Sequence, residues 1–185
     1  MNKNKVIALD LDSTLIALRA IQKASEILKY GPYDETHVLD WEFKKVFPED
    51  FRHMVLSLFS DEKVMCDEVV VIPGVQEKLW EWHEAGYQLH IVTSRVEKIR
   101  AKTVEMVSKL FPQIIAVHFV DFGESKKETL KKLNPIIYVD DNCDNVRDSV
   151  ELGIKTFLVA NKFTKYNERC RLTYNCVKCL SEIEI

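Results

Sequence analysis

The chain has 185 residues, of which 26 are Lys or Arg and 29 are Asp or Glu, so its formal net charge at pH 7 is -3. This length allows one sizeable core with an inserted lobe. The charge balance argues against a broad surface for polyanions, so no extended nucleic acid is expected as a partner. The apolar runs are far shorter than the roughly 20 residues that span a bilayer, and the first residues do not resemble a signal peptide. We therefore expect a soluble, cytoplasmic protein without a membrane partner.

Short apolar runs alternate with helical patterns along most of the chain. The run Val6–Leu9 predicts a strand that is buried on both faces. Further strands are predicted at residues 87–92, 114–120, 136–139 and 156–159, with apolar residues at helical spacing between them. This alternation predicts an α/β fold with a five-stranded parallel sheet, helices on both faces and a ligand crevice at the carboxyl ends of the strands.

One block interrupts the alternation. Residues 15–72 read as mainly helical or irregular and are rich in aromatic side chains, and Pro73-Gly74 precedes the next regular helix. We expect residues 1–14 and 73–185 to form the core, and residues 15–72 to form a small, mainly helical cap folded against the crevice.

The five cysteines have no regular spacing, and their odd number favours reduced thiols over a disulfide framework. Cys176 and Cys179 have the spacing of a zinc-binding pair, but only Cys170 lies nearby as a further ligand. A terminal helix is the preferred interpretation of this segment, and a structural zinc site is the alternative.

Polar residues follow predicted strands or open predicted helices at four points of the chain. They are Asp10 with Asp12, Thr93 with Ser94, Lys126 with Lys127, and Asp140 with Asp141. Each alone has an ordinary explanation as a helix cap or a solvated face. Together they supply what the hydrolysis of a phosphate monoester needs: a nucleophile, a proton donor, ligands for a divalent cation and donors for the phosphoryl oxygens. Magnesium prefers such oxygen ligands.

The segment Asp10-Leu11-Asp12-Ser13-Thr14, followed in order by Thr93, Lys126 and Asp140-Asp141, resembles the four motifs of the haloacid dehalogenase superfamily. The resemblance covers roughly residues 5 to 160. It implies a Rossmann-like, three-layer core with Asp10 as a covalent nucleophile and Asp12 as general acid and base. Members that attack carbon lack the second acid, so Asp12 favours a phosphatase.

The same resemblance implies the remaining roles at the site. Thr93, Ser94 and Lys126 would bind the phosphoryl oxygens, and Arg95 would help to hold the substrate. Magnesium would be the cofactor, with ligands from Asp10, Asp12, Asp141 and Asp140.

For two of these roles, the sequence offers two neighbouring residues as candidates. Lys126 precedes Leu130 and Leu133 by four and seven residues, which turns it toward the sheet, so it is preferred over Lys127. The resemblance favours Asp141 as the direct metal ligand and Asp140 as its support.

The length of the cap and the sequence Val71-Ile72-Pro73-Gly74 resemble the 5′(3′)-deoxyribonucleotidases, which implies a nucleoside monophosphate as the small phosphorylated substrate. Those enzymes stack the base on cap aromatics, and Trp41 and Phe43 are the residues predicted here for that contact. Aromatics such as Phe47 and Phe51 must in part form the core of the cap instead. The alternatives are a phosphatase for a sugar phosphate or another metabolite, a non-catalytic protein of the same fold, and a metal-dependent glycosyltransferase.

Overall fold

The computed structural model describes residues 5–31, 33, 37, 47–160, 167, 170 and 172–185. Their centre is a parallel sheet with the strand order β3-β2-β1-β4-β5-β6. The strands are β1 (Val6–Leu9), β2 (Gln88–Thr93), β3 (Ile114–Phe119), β4 (Ile137–Asp140), β5 (Lys155–Val159) and β6 (Asn175–Val177). The helices are α1 (Ala20–Leu28), α2 (Glu49–Leu58), α3 (Val75–Glu84), α4 (Arg100–Leu110), α5 (Lys127–Leu133) and α6 (Cys143–Glu151). None of these helices is both long and apolar enough to cross a membrane.

Helices cover both faces of the sheet, as the alternation of patterns predicts. Ile7 and Leu9 of β1 belong to the main apolar cluster, which also contains Leu79 of α3. Ala8, which points the other way, packs in a second cluster with Leu130 of α5. The predicted α/β class with a parallel sheet and helices on both faces is therefore confirmed.

The predicted number of five strands is wrong, because the tail adds a sixth. Asn175–Val177 pairs with β5 in parallel, and the Ala160 amide donates to the Val177 carbonyl at 2.8 Å. The terminal helix expected around Cys176 and Cys179 is therefore also wrong. The physical reason is that the outer edge of β5 offers unpaired backbone groups, which a passing segment satisfies without any helical periodicity.

The block between β1 and α3 contains α1, α2 and one π-helical turn, Lys63–Asp67. The two segments that join it to the sheet run side by side: the Ala17 amide donates to the Val70 carbonyl at 2.8 Å, and the Ile72 amide donates to the Leu15 carbonyl at 3.0 Å. This pairing supports residues 15–72 as a separate cap, a division that remains our proposal.

Aromatic side chains form the core of this block. The rings of Phe47 and Phe51 stack with centroids 4.7 Å apart, and Tyr33 lies 5.1 Å from each in an edge-to-face arrangement. Phe47 and Phe51 therefore pack inward, as part of the aromatic set was expected to do. Trp41 and Phe43, the predicted base-stacking residues, lie outside the described residues.

Candidate active site

Asp10 lies directly after β1, between the ends of the two neighbouring strands. Its amide donates to the Val139 carbonyl at 2.8 Å, and its side chain is buried. The chain then turns sharply at Ser13, which has a φ of 60°. This left-handed conformation is uncommon for a residue other than glycine and recurs at functional sites. The turn keeps Asp10 and Asp12 at the edge of the sheet.

The ammonium group of Lys126 lies between two buried carboxylates. Its Nζ donates to Asp140 Oδ2 at 2.8 Å and forms a second, short hydrogen bond to Asp10 Oδ1. Lys126 is 3% exposed. Lys127 instead reaches over the surface to Glu151, at 2.7 Å. The structure thus brings Lys126, and not Lys127, to the side chain of Asp10.

The carboxylate oxygens of Asp140 accept several hydrogen bonds. Besides Lys126, its oxygens accept from the Asn142 amide at 2.7 Å, the Asn145 side chain at 3.0 Å and the Tyr138 hydroxyl. It has no exposed surface, whereas Asp141 is partly exposed. These contacts make Asp140 a support for Lys126 and leave Asp141 better placed to meet an ion.

Three carboxylates could hold a cation together. Asp10, Asp140 and Asp141 each offer an oxygen within 4.8 Å of the others. Hard oxygen donors of this kind fit magnesium, which favours carboxylates and retains water ligands. The charge balance agrees with a cation: among the described residues in this part of the pocket, four carboxylates (those three and Asp12) face two cationic side chains, Lys126 and Arg95. A divalent cation would offset the difference.

The site perturbs the pKa of its own groups. Burial raises the pKa of Asp10 to about 7, against the opposing attraction of Lys126 and with further contributions from Asp140 and Asp12. Burial alone would lower the pKa of Lys126, but the carboxylates of Asp10 and Asp140 outweigh it and raise that pKa. Lys126 is therefore a permanent cation in the site.

Asp12 is held by Arg95. The guanidinium donates from Nε to Asp12 Oδ2 at 2.9 Å and from Nη2 to Oδ1 at 2.8 Å. The third nitrogen, Nη1, contacts Thr103 Oγ1 at 3.2 Å and the Cys66 sulfur at 3.4 Å. Arg95 was predicted as a substrate ligand, yet each of its nitrogens is already engaged within the protein. The sequence contained no local signal for this pairing, since 83 residues separate Arg95 from Asp12.

The two predicted hydroxyl groups lie at the end of β2 and line the same pocket. Thr93 is buried and Ser94 is partly exposed. The pocket, of about 820 Å³, also contains Asp10, Asp12 and Lys126. Its size lies within the range of roughly 300–1,000 Å³ that is usual for small-molecule sites. Eight of the predicted site residues therefore line one cavity, since Arg95, Asp140 and Asp141 belong to it as well.

Asn167 is a functional candidate that the sequence did not reveal. Its side-chain nitrogen donates to the Asp141 carbonyl, and its Oδ1 accepts from the Cys143 amide at 3.3 Å. Asn167 is 2% exposed. It therefore clamps the turn that carries Asp141 into α6, from a position 26 residues further along the chain.

Comparisons with known proteins agree with this architecture. No protein-family model matches the chain. It superposes on a haloacid dehalogenase-like hydrolase of Streptococcus pneumoniae with a TM-score of 0.65 and 16% sequence identity, covering 98% of this chain and 97% of that one. The chain has the haloacid dehalogenase-like fold. A second structure of this fold, described as a predicted phosphoglycolate phosphatase from Haemophilus somnus, gives a TM-score of 0.64 at 15% identity and covers 98% and 97% of the two chains.

A curated relative also matches by sequence. Pyrophosphatase PpaX of Halalkalibacterium halodurans is 27% identical over an alignment 176 positions long, which covers 83% of this chain and 82% of that protein. None of these three proteins is named a nucleotidase. The narrower resemblance to deoxyribonucleotidases therefore stays a prediction, while the superposition on the haloacid dehalogenase-like hydrolase covers 98% of this chain.

Proposed function

We propose that the protein is a magnesium-dependent phosphatase that hydrolyses small phosphate monoesters through an aspartyl-phosphate on Asp10. The observation that carries this proposal is the buried Lys126 ammonium, which bridges Asp10 and Asp140 beside Asp141. One carboxylate would be enough to pair with a lysine that has only a structural role. Three carboxylates at this spacing repel one another unless a cation compensates their charge. The fold and the relative named a pyrophosphatase both support phosphate chemistry.

The acidic residues of the pocket would have different roles. Asp10, Asp141 and the backbone carbonyl of Asp12 would hold the magnesium ion, and Asp140 would keep Lys126 in place. When bound, the ion supplies positive charge that reduces the repulsion between Asp10 and a phosphoryl dianion. Lys126, Thr93 and Ser94 would donate to the phosphoryl oxygens.

The reaction would proceed in two displacements. An oxygen of Asp10 attacks phosphorus, the bond from phosphorus to the ester oxygen breaks, and that oxygen leaves with the electron pair and takes a proton from Asp12. A water molecule then attacks the phosphorus of the aspartyl-phosphate while the Asp12 carboxylate accepts its proton. This step releases inorganic phosphate and restores both carboxyl groups.

The leaving group is a separate question. A nucleoside monophosphate, as the cap resemblance implies, and a sugar phosphate are both compatible with the pocket volume of about 820 Å³. Pyrophosphate enters as a third candidate through the name of the sequence relative.

Phosphate release from a panel of these substrates, with and without magnesium, tests the proposed function. Asp10→Asn keeps the size of the side chain but removes the nucleophile, so we expect at least a thousandfold loss of turnover, on the scale of removing a covalent catalyst. Acid-quenched wild-type protein should carry one phosphoryl group, and the variant none. Phosphate release that is undiminished in Asp10→Asn would contradict the nucleophile assignment.

A further inference from the structure

The tyrosine of β4 carries a buried hydroxyl that packing does not require. Tyr138 has no exposed surface and belongs to the second apolar cluster of the core, together with Ala8 and Leu130. A phenylalanine ring would fill the same space without the free-energy cost of withdrawing a hydroxyl from water. All four residues of β4 are buried, so a protein group rather than bulk water has to satisfy this hydroxyl.

The partner of the hydroxyl is the carboxylate of Asp140. Positions 138 and 140 are two residues apart on one strand, so their side chains leave the same face of the sheet. The Tyr138 hydroxyl donates a short hydrogen bond to Asp140 Oδ2. An ionised carboxylate only accepts hydrogen bonds, so the tyrosine is the donor. Tyr138 thus occupies an acceptor position on the same carboxylate that supports Lys126.

Three donors converge on Asp140 Oδ2 among the described residues. Besides the Tyr138 hydroxyl, this oxygen accepts from Lys126 Nζ at 2.8 Å and from Asn145 Nδ2 at 3.0 Å. The other oxygen, Oδ1, accepts from the Asn142 amide at 2.7 Å. A carboxylate oxygen has two lone pairs, so three donors compete for those of Oδ2. The Tyr138 hydroxyl therefore limits the share of this oxygen that is available to Lys126.

The Lys126 ammonium has a second partner on its other side. It donates a short hydrogen bond to Asp10 Oδ1, and its burial leaves it to divide its donors among the groups of the site. A weaker bond to Asp140 leaves more of the ammonium for Asp10 and for phosphoryl oxygens that would bind beside it. Tyr138 is not among the described residues that line the pocket, so its effect on a ligand passes through Asp140 and Lys126.

We propose that Tyr138 is a positioning residue that directs the Lys126 ammonium toward Asp10 and the phosphoryl group by occupying part of Asp140 Oδ2. The inference rests on the proposed phosphatase function for the identity of the group that Lys126 binds. Without the hydroxyl, Lys126 would turn further toward Asp140 and would bind a phosphoryl oxygen less tightly. Because substrate and transition state both contain these oxygens, the loss should fall on binding rather than on turnover.

The variant Tyr138→Phe tests this role, because it removes one oxygen atom and keeps the ring. The dissociation constant of inorganic phosphate is measured by calorimetry on the magnesium-loaded protein, and KM and kcat are measured for an aryl phosphate. We expect the dissociation constant and KM each to rise roughly 3- to 10-fold, which is the scale of one net hydrogen bond. The value of kcat should stay within about twofold of that of the wild type.

A second tyrosine provides a matched control. The Tyr30 hydroxyl also donates to a carboxylate, that of Asp50 at 2.5 Å, but this pair is exposed and does not line the pocket. Tyr30→Phe should therefore leave the dissociation constant of phosphate, KM and kcat unchanged. Urea unfolding of both variants establishes that folded proteins are compared.

The outcomes distinguish the role of Tyr138 from the phosphatase function. Weaker binding of phosphate to Tyr138→Phe, without hydrolysis of any ester by the wild type, would support the role of Tyr138 and contradict the phosphatase. Magnesium-dependent hydrolysis with the same phosphate affinity and KM in Tyr138→Phe would support the phosphatase and overturn the role of Tyr138. A fall in kcat at constant KM would also overturn it, because a disturbed core would then explain the variant. Wild-type protein that binds no phosphate in the presence of magnesium would overturn it as well.

Discussion

Arg95 holds both carboxylate oxygens of Asp12, at 2.9 and 2.8 Å, while its remaining nitrogen reaches Cys66 in the π-helical turn of the proposed cap. Such a two-pronged pair is charge-assisted and fixes the plane of the carboxylate. The buried guanidinium keeps its positive charge, because Asp12 raises the pKa of Arg95 against the opposing effect of burial. Arg95 is therefore a positioning residue for the proposed acid and base.

Replacing Arg95 tests this role. In Arg95→Gln the Asp12 carboxylate loses its orientation, so activation of water in the second displacement should slow more than attack on a substrate with a good leaving group. We expect kcat for an aryl phosphate to fall roughly 10- to 100-fold, a part of the usual contribution of acid–base catalysis. Quenched-flow or intact-mass measurement should show that the phosphorylated form accumulates.

A second variant provides the control. Arg95→Lys keeps the charge but loses the planar fork, and should lie between the wild type and Arg95→Gln. A fall in kcat without accumulation of the phosphorylated protein would indicate a merely structural role for Arg95.

Lys126 and Lys127 form a matched pair of neighbours. Lys126→Met leaves Asp10 and Asp140 buried without their cation, so we expect a loss of about 3–5 kcal/mol in the free energy of unfolding in the absence of magnesium. Lys127→Met removes only an exposed pair with Glu151 and should have no measurable effect. Urea unfolding of both variants checks this. Equal stability of the two proteins would contradict the proposed charge balance of the site.

Asn167 should influence metal binding from outside the ligand set. Asn167→Ala frees the turn between Asp141 and Cys143, so the affinity for magnesium should fall roughly 10- to 100-fold, as for other residues that orient ligands. Calorimetric titration with magnesium measures the effect. Asn175→Ala, on β6 and bonded to the Thr156 carbonyl at 3.4 Å, is the control and should keep the affinity of the wild type.

The histidines of β2 and β3 predict a loss of stability in acid. His90 Nδ1 and His118 Nε2 are 3.0 Å apart, and burial lowers the pKa of both, with a further contribution to His90 from His118. The unfolded chain therefore binds protons first, so the contribution of the pair to stability is present above pH 6.5 and is lost as the pH falls below it.

The variant His118→Gln isolates this contribution. Between pH 7 and pH 5 its free energy of unfolding should decrease less than that of the wild type, when both are measured by chemical denaturation. Other groups, including Asp10, titrate in both proteins and cancel in the comparison. Parallel curves for the two proteins would show that folding does not lower the pKa of His118.

Local patterns were sufficient to predict much of the molecule. The uninterrupted apolar run of β1 predicted a strand buried on both faces, which the structure confirms. Asp10 is the residue that directly follows this strand. The spacing from Lys126 to Leu130 predicted that the lysine, which directly precedes α5, lies on the buried side of that helix, and both residues are buried. The contacts of Arg95 with Asp12 and of Asn167 with Asp141 leave no periodic pattern in the sequence, because the two residues of each pair meet only after the chain has folded.

The C-terminal tail is a second region whose structure local sequence patterns could not predict. Three residues of β6 are too few to produce a periodic signal, and their pairing is decided by the open edge of β5. Helical propensity, considered alone, could not include that tertiary effect.

The tail also contributes to the core, which allows a paired test. Leu180 has no exposed surface and packs in the main apolar cluster, whereas Leu172 is 98% exposed. Leu180→Ala should therefore lower the free energy of unfolding by about 2–5 kcal/mol. Leu172→Ala should leave the urea midpoint unchanged. A small effect of both substitutions would show that the tail does not stabilise the fold.

Because β1 lies in the middle of the sheet, amide hydrogens beside it should exchange more slowly than those of the surface turns. The Asp10 amide bonds to the Val139 carbonyl between two neighbouring strands, so it should exchange its hydrogen only when the whole sheet unfolds. The turn at residues 121–124, closed by the Glu124 amide donating to the Asp121 carbonyl at 2.9 Å, is exposed and should exchange much sooner. The proposed nucleophile therefore lies in a part of the described molecule that opens late, while the exposed turn at residues 121–124 opens early.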